Sequence, residues 1–392
     1  MTLTADHAPT RGVRDALPAL LSLALASALA VTTEMLPVGL LPDLGTAFGV
    51  SDSTTGLLVG LYAVMVAVFA VPLTMATSRF ARKPLLMATI AGYVISNTVV
   101  ALAPTFAVVA VGRAVGGLTH ALFFALLIGY SPRLVSRAHV GRALAIAGSG
   151  VSAGLVLGVP LLTSLGTVAG WRASFITLAV ASVATLALVG AVLPPVANSQ
   201  PTSRPEPGRR GMLVAVSASN LVVFVGHFSA YTFISLLLLS SGVGPAFIGP
   251  ILLACGACGL IGLWYAGKGL DRNPRRTTLI LLLATVAAVA LLGVGWPALV
   301  AVLGATALWC AAFGGVPSVY QACAVRTHAV SPERAGAWVN ATANVGIAGG
   351  SALGAMLLDR AGLGVLPWVA MVLIFCGTLI AAVARNAFPD RP

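Results

Sequence analysis

Apolar residues run in long blocks along this chain, and the breaks between blocks hold Pro, Gly and most of the charge. A helix needs roughly 20 apolar residues to cross a bilayer. Stopping each block at a charged or Pro-rich break predicts twelve membrane-spanning helices, at about 17–41, 53–77, 84–103, 105–130, 142–165, 172–193, 212–240, 246–267, 277–295, 297–323, 335–358 and 363–384. Pro104 alone separates the third from the fourth, and Trp296 with Pro297 separates the ninth from the tenth. The expected fold is all-α, a polytopic membrane protein. An even number of spans puts both chain ends on one side.

Composition agrees with the pattern and excludes other classes. Of 392 residues, 58% are hydrophobic and 8% charged, whereas a soluble domain carries about a quarter charged residues. The mean hydropathy of +1.00 excludes disorder. The 43 Gly show no three-residue period and the heptads lack charged flanks, which removes collagen and coiled coil. Five cysteines all lie inside apolar runs and read as small hydrophobes; Cys255 and Cys258 have no second pair or His at zinc-ligand spacing. No metal is expected.

A formal charge of +12 would suggest nucleic acid if the basic residues made a continuous patch. Instead, nineteen of the 22 Lys and Arg fall in alternate segments between spans, Arg79, Arg82 and Lys83 among them, leaving Arg172 and Arg360 opposite and Arg113 inside a span. Basic loops stay in the cytoplasm. Both termini are therefore expected there, in a multi-pass protein of the inner membrane, with the lipid bilayer rather than nucleic acid as partner. Arg11 and Arg14 ahead of LLSLALASALA also fit a secretory signal cut near Ala30. Cleavage would sever an apolar run that continues to Leu41 and leave an odd number of spans, so the segment is expected to remain as a signal anchor.

The Pro- and Arg-rich segment 194–211 interrupts the apolar pattern near the middle and reads as an exposed cytoplasmic linker between an N-terminal bundle, 1–193, and a C-terminal bundle, 212–392. The halves repeat at an offset of 192 or 193. Arg142 matches Arg334, Gly154 matches Gly346, Gly158 matches Gly350, Gly170 matches Gly362, and SRFARK at 78–83 matches DRNPRR at 271–276. Two pseudo-symmetric six-helix bundles are what a rocking transporter uses around a midplane site.

At this point the sequence resembles the major facilitator superfamily, in its twelve-span drug:proton antiporter branch, similar to arabinose-efflux and chloramphenicol-efflux permeases. The resemblance is carried by TEMLPVGLLPDLGTAFGVSDSTTGLLVGLYA at 33–63, GRAVGGLTHALFF at 112–124, SAGLVLGVPLLTSLG at 152–166, GWRASF at 170–175 and YTF at 231–233. It covers nearly the whole chain and is weaker in the second half. The family's loop after the second span normally has Asp before Arg and Gly before the basic pair; this chain has Ser78 and Ala81. The counterpart loop keeps Gly267, Asp271 and Arg272, with Pro274 in the second glycine's place. The resemblance implies gating roles for Arg79, Arg82 and Lys83 in the first half, where the departure bears against the usual charge relay, and for Asp271 and Arg272 in the second, which can keep one.

Glu34 is the most informative residue. A carboxylate in hydrocarbon costs about 2.5–3.5 kcal/mol on the lenient insertion scale, so it is expected either to handle protons or a cation, or to be wetted by an outer vestibule. Arg113 is expected at the same depth, as a partner that separates and re-forms or as a static ion pair. His120, seven residues on, returns to the Arg113 face one level deeper, to titrate or to bond a neighbouring helix. His227, Phe228, Tyr231 and Phe233 suggest an aromatic wall for a small-molecule substrate, His227 meeting Tyr231 one turn on. Asn97, Gln321, Asn340 and Asn344 are further binding candidates, alongside Asn220. Gly154, Gly158, Gly346 and Gly350 let helices approach closely, and Pro160 weakens local helical bonding; the resemblance implies that this fifth span seals the cavity against leak.

The expected function is secondary active export of a small amphiphilic molecule, drug, sugar or nucleoside-like, by proton antiport with alternating access. One charge crossing 100 mV supplies about 2.3 kcal/mol, more than the roughly 1.4 kcal/mol of a tenfold gradient. The proton is the expected coupling ion, with no other cofactor and no enzymatic activity: no phosphate-cradling loop, catalytic triad, zinc helix or dinucleotide fingerprint occurs. A monomer is expected. Proton symport, passive facilitation and, from another class, a membrane sensor or receptor are the alternatives.

Overall fold

The computed structural model describes residues 12–136, 139–196 and 209–388. Twelve helices in it are long and apolar enough to cross a membrane. In chain order they are α1 Val13–Gly39, α2 Asp52–Ala76, α3 Arg82–Ala101, α4 Phe106–Leu134, α5 Val140–Ala169, α6 Trp171–Val192, α7 Arg210–Ser240, α8 Pro245–Gly269, α9 Pro274–Gly295, α10 Leu299–Arg326, α11 Arg334–Ala361 and α12 Leu363–Val383. The predicted divisions at Pro104 and at Trp296–Pro297 are helix ends. Of the expected linker, residues 197–208 lie outside the described residues.

The pattern does not anticipate four local features. A short helix, Leu41–Phe48, joins α1 to α2, and the Ser51 side chain caps α2 by accepting from the Thr54 N–H at 3.2 Å. α5 widens into a π-helical turn over Gly154–Gly158, just before Val159 and Pro160. Pro160 has no N–H for the turn before it and its ring crowds the carbonyl four residues back, so a wider turn fits there. α7 breaks at Thr232–Phe233, and α10 at Gly314–Gly315, where Gly314 and Gly315 rest on the Gly259 and Gly262 carbonyls of α8.

Prolines also explain several tertiary bonds. A helical carbonyl normally accepts from the N–H four residues on, and proline has none. Pro37 stands four residues after Thr33, and the Thr33 carbonyl accepts from Arg113 Nη1 of α4. Pro42 stands four after Val38, whose carbonyl accepts from Ser235 Oγ of α7 at 2.7 Å. The same holds for Gly190, four before Pro194, which accepts from Lys83 Nζ at 2.7 Å; the Leu270 carbonyl, in the turn after α8, accepts from Arg326 Nη1 at 2.7 Å.

Helices α1–α6 form one lobe and α7–α12 the other, and the internal repeat is visible in their packing. Gly150, Gly154 and Gly158 of α5 lie on Ala24, Ala28 and Thr32 of α1; Gly346, Gly350 and Gly354 of α11 lie on Leu221, Val225 and Ser229 of α7. In both lobes a ladder of small residues lets two backbones touch.

The lobes make their closest contacts away from one face of the molecule. In an up-and-down bundle, Val13 and Val383 lie at the same face, with the 77–83 and 268–276 basic loops; this is the basic face. Among the described residues, the closest contacts between lobes run from mid-span to the other face: Gly256 with Val156 at mid-span, then Val38 with Ser235, Gly60 with Ala348 and Ser351, and Gly249 with Pro160 and Ser164. Phe233 wedges between Gly56 of α2 and Gly354 of α11. Toward the basic face a groove runs between Leu144, Ala145 and Gly148 of α5 and Pro317, Ser318 and Arg326 of α10.

Candidate functional site

A cavity of about 380 Å³ lies between the lobes, and Gln321 lines both it and the basic-face groove. Gln321 thus stands between the cavity and the groove toward the basic face. The cavity wall is mostly apolar over α5 and α8 and aromatic on α7 and at Phe313 of α10, with polar groups at Glu34 and His120 and at Asn220, Gln321, Asn340 and Asn344.

The first polar place is Glu34, 7% exposed, with His120 beside it, 3% exposed. Glu34 Oε2 lies 3.7 Å from His120 Nε2, and His120 Nδ1 is 2.9 Å from the Tyr62 hydroxyl. A second close pair of titratable groups among the described residues is Arg326 with Asp271, 3.7 Å apart.

The expected pairing of Glu34 with Arg113 takes a different form. The guanidinium, 1% exposed, is spent on backbone: it donates to the Thr33 carbonyl, to the Glu34 carbonyl at 2.7 Å and to the Leu58 carbonyl at 3.5 Å, and it lies 4.3 Å from the centre of the Tyr62 ring. A fixed fork of five donors lets it reach several carbonyls at once, the Thr33 carbonyl left open by Pro37 among them. Arg113 is absent from the cavity wall; Glu34 and His120 are on it. The carboxylate thus meets an imidazole directly and the arginine through its own helix.

Of the predicted binding residues, His227, Phe228, Tyr231, Gln321, Asn340 and Asn344 line the cavity. Asn97 does not: it is buried, and its amide donates to Thr33 Oγ1 at 3.1 Å, tying α3 to α1. Phe233 does not either, because the break in α7 turns it into the contact between lobes. His227 and Tyr231 stack as their spacing implied, centroids 4.8 Å apart. The wall also contains Phe224 and Phe313, with Trp309 behind. Trp309 and Phe313 are four residues apart on α10, the same signal that picked out His227 and Tyr231. Asn220 and Asn344 each keep a buried carbonyl oxygen without a partner.

The predicted gating residues divide. Lys83 holds the end of α6 and Asp271 faces Arg326, whereas Arg79 and Arg272 are exposed. Asp271 is itself 85% exposed, so its pair with Arg326 is solvent-screened and weak. Gly154, Gly158, Gly346 and Gly350 are helix contacts, and Pro160 follows the π turn.

Comparison with known proteins agrees with this architecture. The sequence profile of the Major Facilitator Superfamily matches residues 23–336. A chloramphenicol efflux pump of Mycobacterium tuberculosis is 33% identical over 351 residues, 86% of this chain and 85% of that one. A protein of Pseudomonas aeruginosa named transcription regulatory protein OpdE is 32% identical over 358 residues, 87% of each chain. Among solved structures, a D-xylose-proton symporter superposes with a TM-score of 0.77 at 17% identity, covering 95% of this chain and 98% of the other. Twelve apolar helices in two lobes, a cavity between them and a profile match across most of the length lead to one assignment: this chain is a multi-pass membrane transporter and belongs to the major facilitator superfamily.

Proposed function

We propose that the protein exports small amphiphilic molecules by proton antiport, with both termini and the basic face in the cytoplasm of the inner membrane. The observation that carries this reading is Glu34, an acid on the wall of a cavity between two lobes, in contact with His120. A carboxylate there is favoured in its protonated form by dry surroundings and in its ionised form by a hydrogen bond from His120 or by water. Rocking of the lobes changes which of these it meets. The aromatic wall suits a lipophilic cargo, and the chloramphenicol efflux pump named above supports export of such molecules. In this orientation the cavity faces the cytoplasm and is placed to load cargo.

Flux through reconstituted vesicles with an imposed pH gradient tests the reading. Glu34→Gln is expected to lose at least tenfold of the pH-driven flux while the protein folds normally. Unchanged pH-driven flux would remove Glu34 from coupling, and unchanged flux without any pH dependence in the native protein would favour passive facilitation. The relative named as a transcription regulatory protein supports a second reading, a membrane sensor; cargo-dependent gene expression with no flux in vesicles would select it.

A further inference from the structure

The two histidines on the cavity wall are held alike but placed differently: His120 turns Nε2 to an acid, and His227 has none beside it. We propose that His227 is a specificity-determining hydrogen-bond donor of the cavity, locked by Trp309 as the neutral Nε2–H tautomer, and that it selects uncharged aromatic cargo bearing an acceptor such as a carbonyl or nitro group. This rests on the cavity being the cargo site.

Trp309 Nε1 lies 3.1 Å from His227 Nδ1, and both side chains are buried. An indole N–H can only donate, so Nδ1 must accept, and a neutral imidazole then carries its hydrogen on Nε2. Turning the ring over would set a carbon against the indole, so the bond fixes the ring's orientation as well. Phe313 lies parallel to the imidazole at 3.5 Å and 7°, and Tyr231 stacks at 4.8 Å and 21°, so other rings occupy both faces. That leaves the Nε2 edge. Among the described residues Nε2 has no hydrogen-bond partner, and His227 lines the cavity.

Charge argues for a neutral donor. The rings packed on His227 are Phe228, Tyr231, Trp309 and Phe313, and no carboxylate is among them. The other titratable groups on the wall are Glu34 and His120 from the opposite lobe, Cys255 and Cys310; no Lys or Arg lines it. An anionic cargo meets no cation and faces Glu34, whereas an uncharged ring fits against Phe224 and Phe228.

Equilibrium binding of chloramphenicol, an uncharged aromatic molecule with nitro and amide-carbonyl acceptors, to the full-length protein in lipid nanodiscs tests the proposal. Gln places an N–H near the position of the imidazole Nε2; Phe keeps the ring and its stacking and has no donor. His227→Phe is expected to weaken binding about 3- to 10-fold, with His227→Gln within twofold of the native protein. In 15N spectra of histidine-labelled protein, His227 is expected to show an accepting Nδ1 and an N–H at Nε2, with the Nε2 signal moving when chloramphenicol is added. Native protein that binds no chloramphenicol, equal losses in both variants, no loss in His227→Phe, or a proton on Nδ1 would overturn it. Because binding is read without flux, loss of proton coupling or of export leaves this result intact, and a 15N signal unmoved by bound chloramphenicol would instead place the cargo elsewhere.

Discussion

Arg113 shows how much of the site was written in single residues and how much was not. A guanidinium and an acid inside apolar spans are visible in the sequence, and so is their shared depth, because helical rise converts residue count to distance. What the guanidinium touches depends on a side chain's reach in three dimensions, yet a clue lay in Pro37, which removes the donor of the Thr33 carbonyl. The structure makes two predictions differ. Were Arg113 the partner of the Glu34 carboxylate, reversing both charges would restore function; with the guanidinium on the Thr33 and Glu34 carbonyls, the double reversal is expected to rescue neither flux nor stability. Arg113→Lys, which keeps the charge and loses the fork, is expected to destabilise the protein by about 1–3 kcal/mol through an unsatisfied buried carbonyl. Adding Pro37→Ala, which returns an N–H to Thr33, is expected to recover part of that loss. Thermal unfolding in detergent measures both.

Among elements, the span count and the breaks at Pro104 and Trp296–Pro297 were legible because length and hydropathy dictate them. The interruptions inside spans were not, since a Gly pair such as Gly314–Gly315 reads as apolar helix until a neighbour's carbonyls are known to press on it. The glycine ladders sit between these cases: their spacing is in the sequence, their partners are in the packing. A Cβ on Gly150 would fall on the Ala24 carbonyl, whereas one on Gly148, in the same helix, meets nothing within 4 Å. Gly150→Ala is therefore expected to cost about 1–3 kcal/mol by overpacking α5 on α1, and Gly148→Ala is expected to raise the unfolding temperature through the roughly 0.5–1 kcal/mol that alanine gains over glycine in a helix. Equal effects of the two would show that helix propensity rather than contact decides.

For the whole molecule, the internal repeat announced two lobes, but no one-dimensional pattern says how the lobes are tilted, because the same residues serve each tilt. The tilt seen here can be trapped. A Cβ on Gly60 of α2 would lie 3.4 Å from Ser351 Cβ of α11, close to the separation a disulfide spans. In a background without the five native cysteines, Gly60→Cys with Ser351→Cys is expected to cross-link under oxidation, to abolish flux while retaining cargo binding, and to recover on reduction. Full flux in the cross-linked protein would mean that transport needs no parting of this half.

The bond from Ser235 to the Val38 carbonyl bears on that parting. Pro42 denies the carbonyl a substitute within its own chain, so when the two helices draw apart an acceptor is bared that only solvent can serve. Separation into a dry gap would forfeit the hydration of a lone oxygen, whereas separation accompanied by an entering water molecule costs little. The seal on that side is thus moisture-sensitive by construction: it holds while the crevice stays sealed to solvent, and yields together with the first molecule that wets it.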